Sequence, residues 1–200
     1  MRDRVRIVSE EVLSRSWAIL KRTSFDFRRR DGQWQRQVRE TYDRGPATAV
    51  LLHCPETDKV ILIRQFRFPV YAEGREGWLL EVCAGLLDGE DPQTCARREA
   101  EEEAGYRLKS LRRAFAADMS PGSVIETVTC FIGTYDEGSR VSAGGGLHAE
   151  GEDIEVLELD FAEALRMIGR GEITDAKTIL LLQHLALEQR AGGQSMSAVR

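Results

Sequence analysis

The chain has 200 residues, 42% of them hydrophobic, with 28 basic and 33 acidic side chains for a net charge of −5. That is enough for one domain, or one domain with a small appendage, and the composition excludes disordered and fibrous classes. No apolar run approaches the roughly 18–20 residues of a membrane-spanning helix, and Met1-Arg2-Asp3-Arg4-Val5-Arg6 lacks the apolar core of a secretory signal, so a soluble, cytoplasmic protein without a membrane partner is expected.

The first 45 residues read as an antiparallel β unit: strands over 4–13 and 17–28, an Asp31-Gly32 turn, and a third strand from Trp34 to Tyr42. This unit carries 12 basic and 7 acidic residues, which leaves the rest of the chain at −10 and argues against a nucleic-acid groove. After Asp43-Arg44-Gly45-Pro46, the continuously apolar runs Ala47 to His53 and Val60 to Phe66 are predicted to be buried strands. Trp78 to Ala84 reads as one further strand running into Gly85. A helix follows, with Asp91 as N-cap, Pro92 in its first turn and Gly105 as its stop. Strands are then expected over 113–119, 128–135 and 155–159, with a glycine-rich acidic loop from Ala143 to Asp153. Asp160 and Glu163 have the spacing of a capping box for a helix to about Arg170, Asp175 opens a last helix to about Gln189, and 191–200 read as a flexible tail. Strands mixed with helices predict an α/β (α+β) sandwich. Cys54, Cys83, Cys95 and Cys130 form no paired motif and read as buried thiols.

The helix between Asp91 and Gly105 carries the chemistry. At about 100° per residue, Glu99, Glu102 and Glu103 share one face and Glu101 points away. Carboxylates stacked this way repel by a few tenths of a kcal/mol per pair. They either form a solvated acidic face paired with Arg97 and Arg98, or they hold a hard cation, Mg²⁺ or Mn²⁺, together with phosphate oxygens. A strand ending in Gly85 and the short loop to Glu90 favour the second reading, since that order brings a backbone turn beside the carboxylates.

Glu90, seven residues, and then Arg98-Glu99-Ala100-Glu101-Glu102-Glu103-Ala104-Gly105-Tyr106 resemble the signature of the Nudix hydrolases, G-x5-E-x7-R-E-U-x-E-E-x-G-U, with U an apolar residue. The departure is a loop one residue short, with four residues between Gly85 and Glu90 where the signature has five. Beyond the signature, Arg39-Glu40, Tyr42 to Gly45, Leu62 to Arg67, Cys83 to Asp88, Met119 to Gly122, Ala143 to Gly146 and Glu152 to Leu159 resemble the nucleoside-diphosphate-sugar branch, and most closely the NudK-type GDP-mannose pyrophosphatases.

The resemblance implies a Nudix α/β/α sandwich, with an N-terminal dimerising unit over 1–45 and a Nudix domain over 46–190. It also implies Mg²⁺-dependent hydrolysis of the diphosphate of a nucleoside diphosphate sugar, GDP-mannose giving GMP and mannose 1-phosphate. By position, the implied metal ligands are the carbonyl of Ala84, Glu99, Glu103 and Glu152, with Glu102 next and Arg98 orienting a helix carboxylate. The general base is Glu152, delivered by a mobile loop, or Glu103; Glu150 rivals Glu152 because the loop is longer than the family's. Substrate contacts are implied for Arg67, Gly85, Leu86, Glu126 and Lys177, and for Trp17, Arg39 and Glu40 reaching across a homodimer. Trp17 either stacks on a nucleobase or packs in the core, and Arg64 is structural. Pro121 resembles a marker of the ADP-ribose pyrophosphatases, the sister activity. A non-catalytic nucleotide-sugar-binding module is the remaining alternative, and it is disfavoured because the carboxylates are present.

Overall fold

The computed structural model describes residues 2–197. In chain order the strands are β1 (Val5–Arg15), β2 (Ile19–Arg28), β3 (Trp34–Asp43), β4 (Ala47–Cys54), β5 (Lys59–Phe66), β6 (Trp78–Glu81), β7 (Cys83–Leu86), β8 (Ser110–Asp118), β9 (Val124–Ile125), β10 (Thr127–Thr134) and β11 (Glu155–Asp160). The helices are α1 (Phe68–Ala72), α2 (Pro92–Glu99), α3 (Phe161–Gly169) and α4 (Ala176–Ser197), with a π-helical turn, Ala100–Ala104, continuing α2. The described residues divide into two compact units, 2–46 with Asp118–Thr127, and Ala47–Ala117 with 128–197.

In the first unit β1, β2 and β3 form an antiparallel meander. The short strand β9 adds to β3 in parallel, so the unit draws on a second stretch of chain beyond the N-terminal one. Val5, Ile7, Val8, Val12, Trp34 and Val38 are all exposed on this sheet.

The second unit is built on the sheet β11-β5-β4-β10-β8. β4 is buried along its whole length, as its unbroken apolar run requires for a strand covered on both faces. Val50, Leu52 and Cys54 join a cluster with Ala96, Ala100 and Ala104. These alanines recur every four residues, so the carboxylate helix lies on the sheet along a stripe of small side chains. His53, on the alternate face of β4, meets Phe161 of α3 at 5.9 Å between ring centroids. Leu181, Leu182 and Leu185 of α4 are also buried. Helices therefore cover both faces of the sheet, the layered arrangement expected for this fold.

The run Trp78 to Ala84 is not one strand. β4 and β5 pair only over Leu52–Cys54 with Lys59–Ile61 and diverge beyond, and the run bridges the gap: β6 pairs with β5 and β7 with β4. At the junction the Val82 amide leaves the ladder and donates to the Thr178 hydroxyl at 2.9 Å. The capping box at Asp160 is not formed, because its side chain caps nothing and Glu163 pairs with Arg166 and Arg170 instead. The last helix runs past Gln189 to Ser197; 198–200 of the expected tail lie outside the described residues. All four cysteines are free and buried.

Candidate active site

Asp91 caps α2 as its sequence dictates, accepting from the amides of Gln93 at 3.0 Å and Thr94 at 3.2 Å. The helix ends at Gly105 in a left-handed conformation, φ 80°. In its last five residues the turn widens to π geometry, a feature that recurs at functional sites and that 100° spacing does not anticipate. Glu101 still points away, pairing with Arg107.

The glycine-rich loop packs on this helix end. The Gly145 amide donates to the Glu103 carbonyl at 2.9 Å and the Gly146 amide to the Glu102 carbonyl at 3.1 Å. A Cβ on Gly144 would stand 2.5 Å from the Glu103 carbonyl oxygen, so only glycine permits this backbone-on-backbone contact. At the glycine end of the loop, the amides of Gly145 and Gly146 satisfy carbonyls that the helix end leaves without partners, and Ile154 closes the loop by donating to Gly145 at 3.2 Å.

β7 brings Ala84, Gly85 and Leu86 alongside the helix. The Ala84 amide donates to Glu103 Oε2 at 3.0 Å, and the Leu86 carbonyl accepts from Cys95 Sγ at 3.3 Å. Glu99 lies so close to Gly85 that a Cβ there would overlap its carboxyl group and come within 3.0 Å of its Cγ. Arg98 spans the carboxylates, reaching Glu102 at 2.7 Å, Glu99 at 2.9 Å and Glu90 at 3.1 Å. Its neighbour Arg97 turns away to the Leu108 carbonyl.

Glu103 is 2% and Glu99 8% exposed. Burial is the main reason both resist ionisation, and their carboxylates add to it. Glu99 is pushed up to about 7 by burial, with Arg98 opposing and Glu102 and Glu152 reinforcing. Glu103 is raised well above the usual carboxylate range by burial and Glu99, against the Ala84 amide. Two buried carboxyl groups held close and poorly compensated form a hard-oxygen donor set that suits a divalent cation. Among the described residues no three His, Cys, Asp or Glu side chains already stand as a coordination shell; Arg98 and backbone amides occupy the carboxylates instead.

Glu152 accepts from the Leu147 amide at 2.8 Å and lies within electrostatic reach of both Glu99 and Glu103. Glu150 is exposed on a short turn, His148–Glu150. Arg67 makes a two-pronged contact with Glu81, 2.7 and 3.0 Å, and Lys177 reaches the same carboxylate at 3.2 Å. Sequence reasoning passed over Glu81; the signal available was a single charge inside the apolar run Trp78 to Ala84. Arg64 does pair structurally, with Glu155. A cleft of about 460 Å³ is bounded by Arg64, Glu76, Trp78, Asp153, Ile154 and Glu155; it adjoins Glu152 in sequence, but the helix carboxylates do not line it.

Trp17, Arg39, Glu40 and Glu126 belong to the first unit. Trp17 sits in the β1–β2 turn, not within a strand or the core: it is 69% exposed, with the Arg44 guanidinium 4.8 Å from its ring centroid. Arg44 also pairs with Glu126 at 3.0 Å, so Trp17, Arg44 and Glu126 form one group. Arg39 and Glu40 are adjacent on β3 and face opposite sides of the sheet, Arg39 bonding Gln37 and Glu40 bonding Arg22.

Residues 4–42 match the GDP-mannose pyrophosphatase NudK N-terminal domain and residues 43–182 the NUDIX domain. The chain is 47% identical over 184 residues to a GDP-mannose pyrophosphatase of Cronobacter sakazakii, covering 92% of this chain and 95% of the relative. It is 49% identical over 185 residues to that of Pectobacterium atrosepticum, with the same coverage, and 45% identical over 188 residues to that of Escherichia coli O1:K1, covering 94% and 97%. A crystal structure of an ADP compounds hydrolase superimposes with a TM-score of 0.73 at 21% identity over 95% of this chain and 96% of that one, a likeness of fold.

Proposed function

Because the chain belongs to the Nudix family and is a pyrophosphohydrolase, we propose that it cleaves the diphosphate of a nucleoside diphosphate sugar, GDP-mannose yielding GMP and mannose 1-phosphate. The reaction class is carried by one observation: two buried, mutually destabilised carboxyl groups, Glu99 and Glu103, set against the β7 backbone at Ala84-Gly85. The substrate is supported by relatives of that activity along nearly the whole chain.

The residues that would hold Mg²⁺, with Mn²⁺ as a substitute, are Glu99, Glu103, Glu152 and the Ala84 carbonyl, with Glu102 beside them. When bound, the ion supplies charge neutralisation at the diphosphate oxygens and activation of water. Arg98 orients Glu99 and Glu102 through its two contacts. Arg67 and Lys177 bind the phosphates, with Gly85 and Leu86 of β7 as further substrate contacts. Glu152 takes the proton of the attacking water: one of its oxygens is engaged by the Leu147 amide, leaving the other to accept. Glu103 is the less suited to that role, since burial favours the form that already carries a proton.

Trp17, Arg39, Glu40 and Glu126 serve the nucleoside and sugar, and the exposed apolar side chains of the first unit support a homodimer in which Trp17 and Arg39 complete the partner's site. Sedimentation as a monomer at micromolar concentration would remove the dimer. Purified protein with Mg²⁺ is offered GDP-mannose, ADP-ribose and other nucleotide sugars separately, and products are resolved by ion exchange. GMP and mannose 1-phosphate are expected; a higher kcat/KM for ADP-ribose would assign the sister activity, and binding of these compounds without turnover would refute the substrate reading.

A further inference from the structure

Beneath the phosphate-binding cations lies a carboxylate with no role assigned above. Glu81 ends β6 at the sheet junction, is 2% exposed, and bonds two cations brought from distant parts of the chain, Arg67 after β5 and Lys177 in the first turn of α4. We propose that Glu81 is a positioning residue, a single buried carboxylate that aims Arg67 and Lys177 together at the substrate diphosphate. The inference rests on the reading of Arg67 and Lys177 as phosphate ligands.

The geometry accounts for each part. Glu81 grips Arg67 through Nε and Nη2, which uses one edge of the guanidinium fork and leaves Nη1 to present its donors elsewhere. The Arg67 side chain keeps 38% of its surface exposed, against 2% for Glu81, so the paired edge lies inward and the remaining edge outward. Lys177 is held between two carboxylates, Glu81 at 3.2 Å and Asp175 at 2.7 Å. Asp175 is itself pinned, accepting from the Thr178 hydroxyl at 2.7 Å and the Thr178 amide at 3.0 Å. That same hydroxyl accepts from the Val82 amide, one residue beyond Glu81. The break between β6 and β7 is thus where α4 is stitched to the sheet, and both cations take their positions from it.

A purely structural ion cluster does not require this asymmetry. Arg67 and Lys177 are matched in number by Glu81 and Asp175, but Asp175 contacts only the lysine, so Arg67 shares its one paired carboxylate. Arg67 is also the member with the larger exposed surface, which is where an arriving anion would meet the cluster. Lys177 also stays charged although its burial opposes that, because Glu81 and Asp175 outweigh the loss of solvent. The other titratable groups that bear on this cluster are Cys130, whose thiol is raised by burial, and Glu103, which lies within electrostatic reach of Arg67.

The test is Glu81→Gln and Glu81→Asp in the full-length protein, assayed with GDP-mannose and Mg²⁺, alongside Arg67→Ala and the Arg67→Ala/Glu81→Gln double variant. Glu81→Gln keeps the shape and removes the charge. It is expected to lower kcat/KM by about tenfold to a hundredfold, the size of effect usual for a group that orients a ligand. Most of the loss should appear in KM, since diphosphate charge is present in the ground state. Glu81→Asp should recover part of it, and the double variant should lose less than the sum of the two single losses, because part of what Glu81 does passes through that arginine and the rest through Lys177. A role in folding alone would lower kcat through the active fraction and leave KM unchanged, and that pattern would overturn the proposal, as would parental constants for Glu81→Gln or full additivity in the double variant. If the wild-type protein turns over no nucleotide sugar, the functional reading itself fails, an outcome distinct from wild-type turnover with an indifferent Glu81.

Discussion

Replacing Gly85 by alanine separates the site from the fold within a single methyl group. The new Cβ would overlap the Glu99 carboxyl and stand 3.0 Å from its Cγ. Real Cβ atoms are not found at such separations, so Glu99 must leave its place. Gly85 lies outside the left-handed region, so alanine suffers no backbone strain there, and reducing the freedom of the unfolded chain favours folding by about 0.4–1 kcal/mol. The displaced group is the end of a flexible side chain beside Arg98, which can follow it outward. The expected result is a thermal midpoint within a few degrees of the parent and a kcat lower by about a hundredfold or more, roughly 2.7 kcal/mol of barrier at 1.36 kcal/mol per decade. Steady-state hydrolysis, thermal melting and Mn²⁺ titration by calorimetry read these together, and Mn²⁺ affinity should fall with kcat. Glu99 would also lose the burial that holds it near 7, returning toward an ordinary carboxylate. A Gly85→Ala protein with parental kcat and Mn²⁺ affinity would show that the seating of Glu99 against β7 has no part in the chemistry.

Glu103→Gln should cost about a thousandfold in kcat, near 4 kcal/mol. It should leave the metal-free protein no less stable, because it removes a buried acid whose ionisation is resisted; near-parental turnover would mean the ligand face is misassigned. The metal-free protein should lose stability as pH rises. Glu99 has its folded value raised to about 7 from 4.5, so its contribution is complete below about 4.5 and disappears as pH passes 7, a change of up to about 3 kcal/mol. Mg²⁺ affinity should strengthen over the same window because the ion competes with that proton; chemical denaturation and calorimetry between pH 5 and 8 check both, and flat profiles would refute them. Glu152→Gln should lower kcat far more than Glu150→Gln, since Glu152 reaches the helix carboxylates electrostatically while Glu150 is exposed on its turn; equal small losses in parallel kcat assays would leave neither as the base.

What could be read from residue order was whatever depends on near neighbours. The helix from Asp91 to Gly105 carries its own start and stop, the spacing of Glu99, Glu102 and Glu103 places them on one side, and the unbroken apolar run of β4 announces a strand covered on both faces. The features that escaped are those decided by a second segment. Trp78 to Ala84 is apolar enough for one strand, but β4 and β5 diverge past Ile61, and only that divergence obliges the run to change partners at Val82. Nothing local to Gly144 announces that the Glu103 carbonyl lies 2.5 Å from where its Cβ would be. Trp17 is apolar by composition, yet the β1–β2 turn leaves it exposed beside Arg44.

Glu81 shows the same limit from the opposite side. In sequence it interrupts an apolar strand and looks like a fault in the pattern, because the cations that satisfy it come from Arg67, 14 residues before, and Lys177, 96 residues after. A charge kept where burial opposes it needs partners, so a lone acidic residue in an otherwise apolar strand indicates that long-range ion pairs exist without saying where. Here both partners are residues that the family resemblance implies for substrate, which joins the one unexplained charge of the strand to the phosphate end of the proposed site.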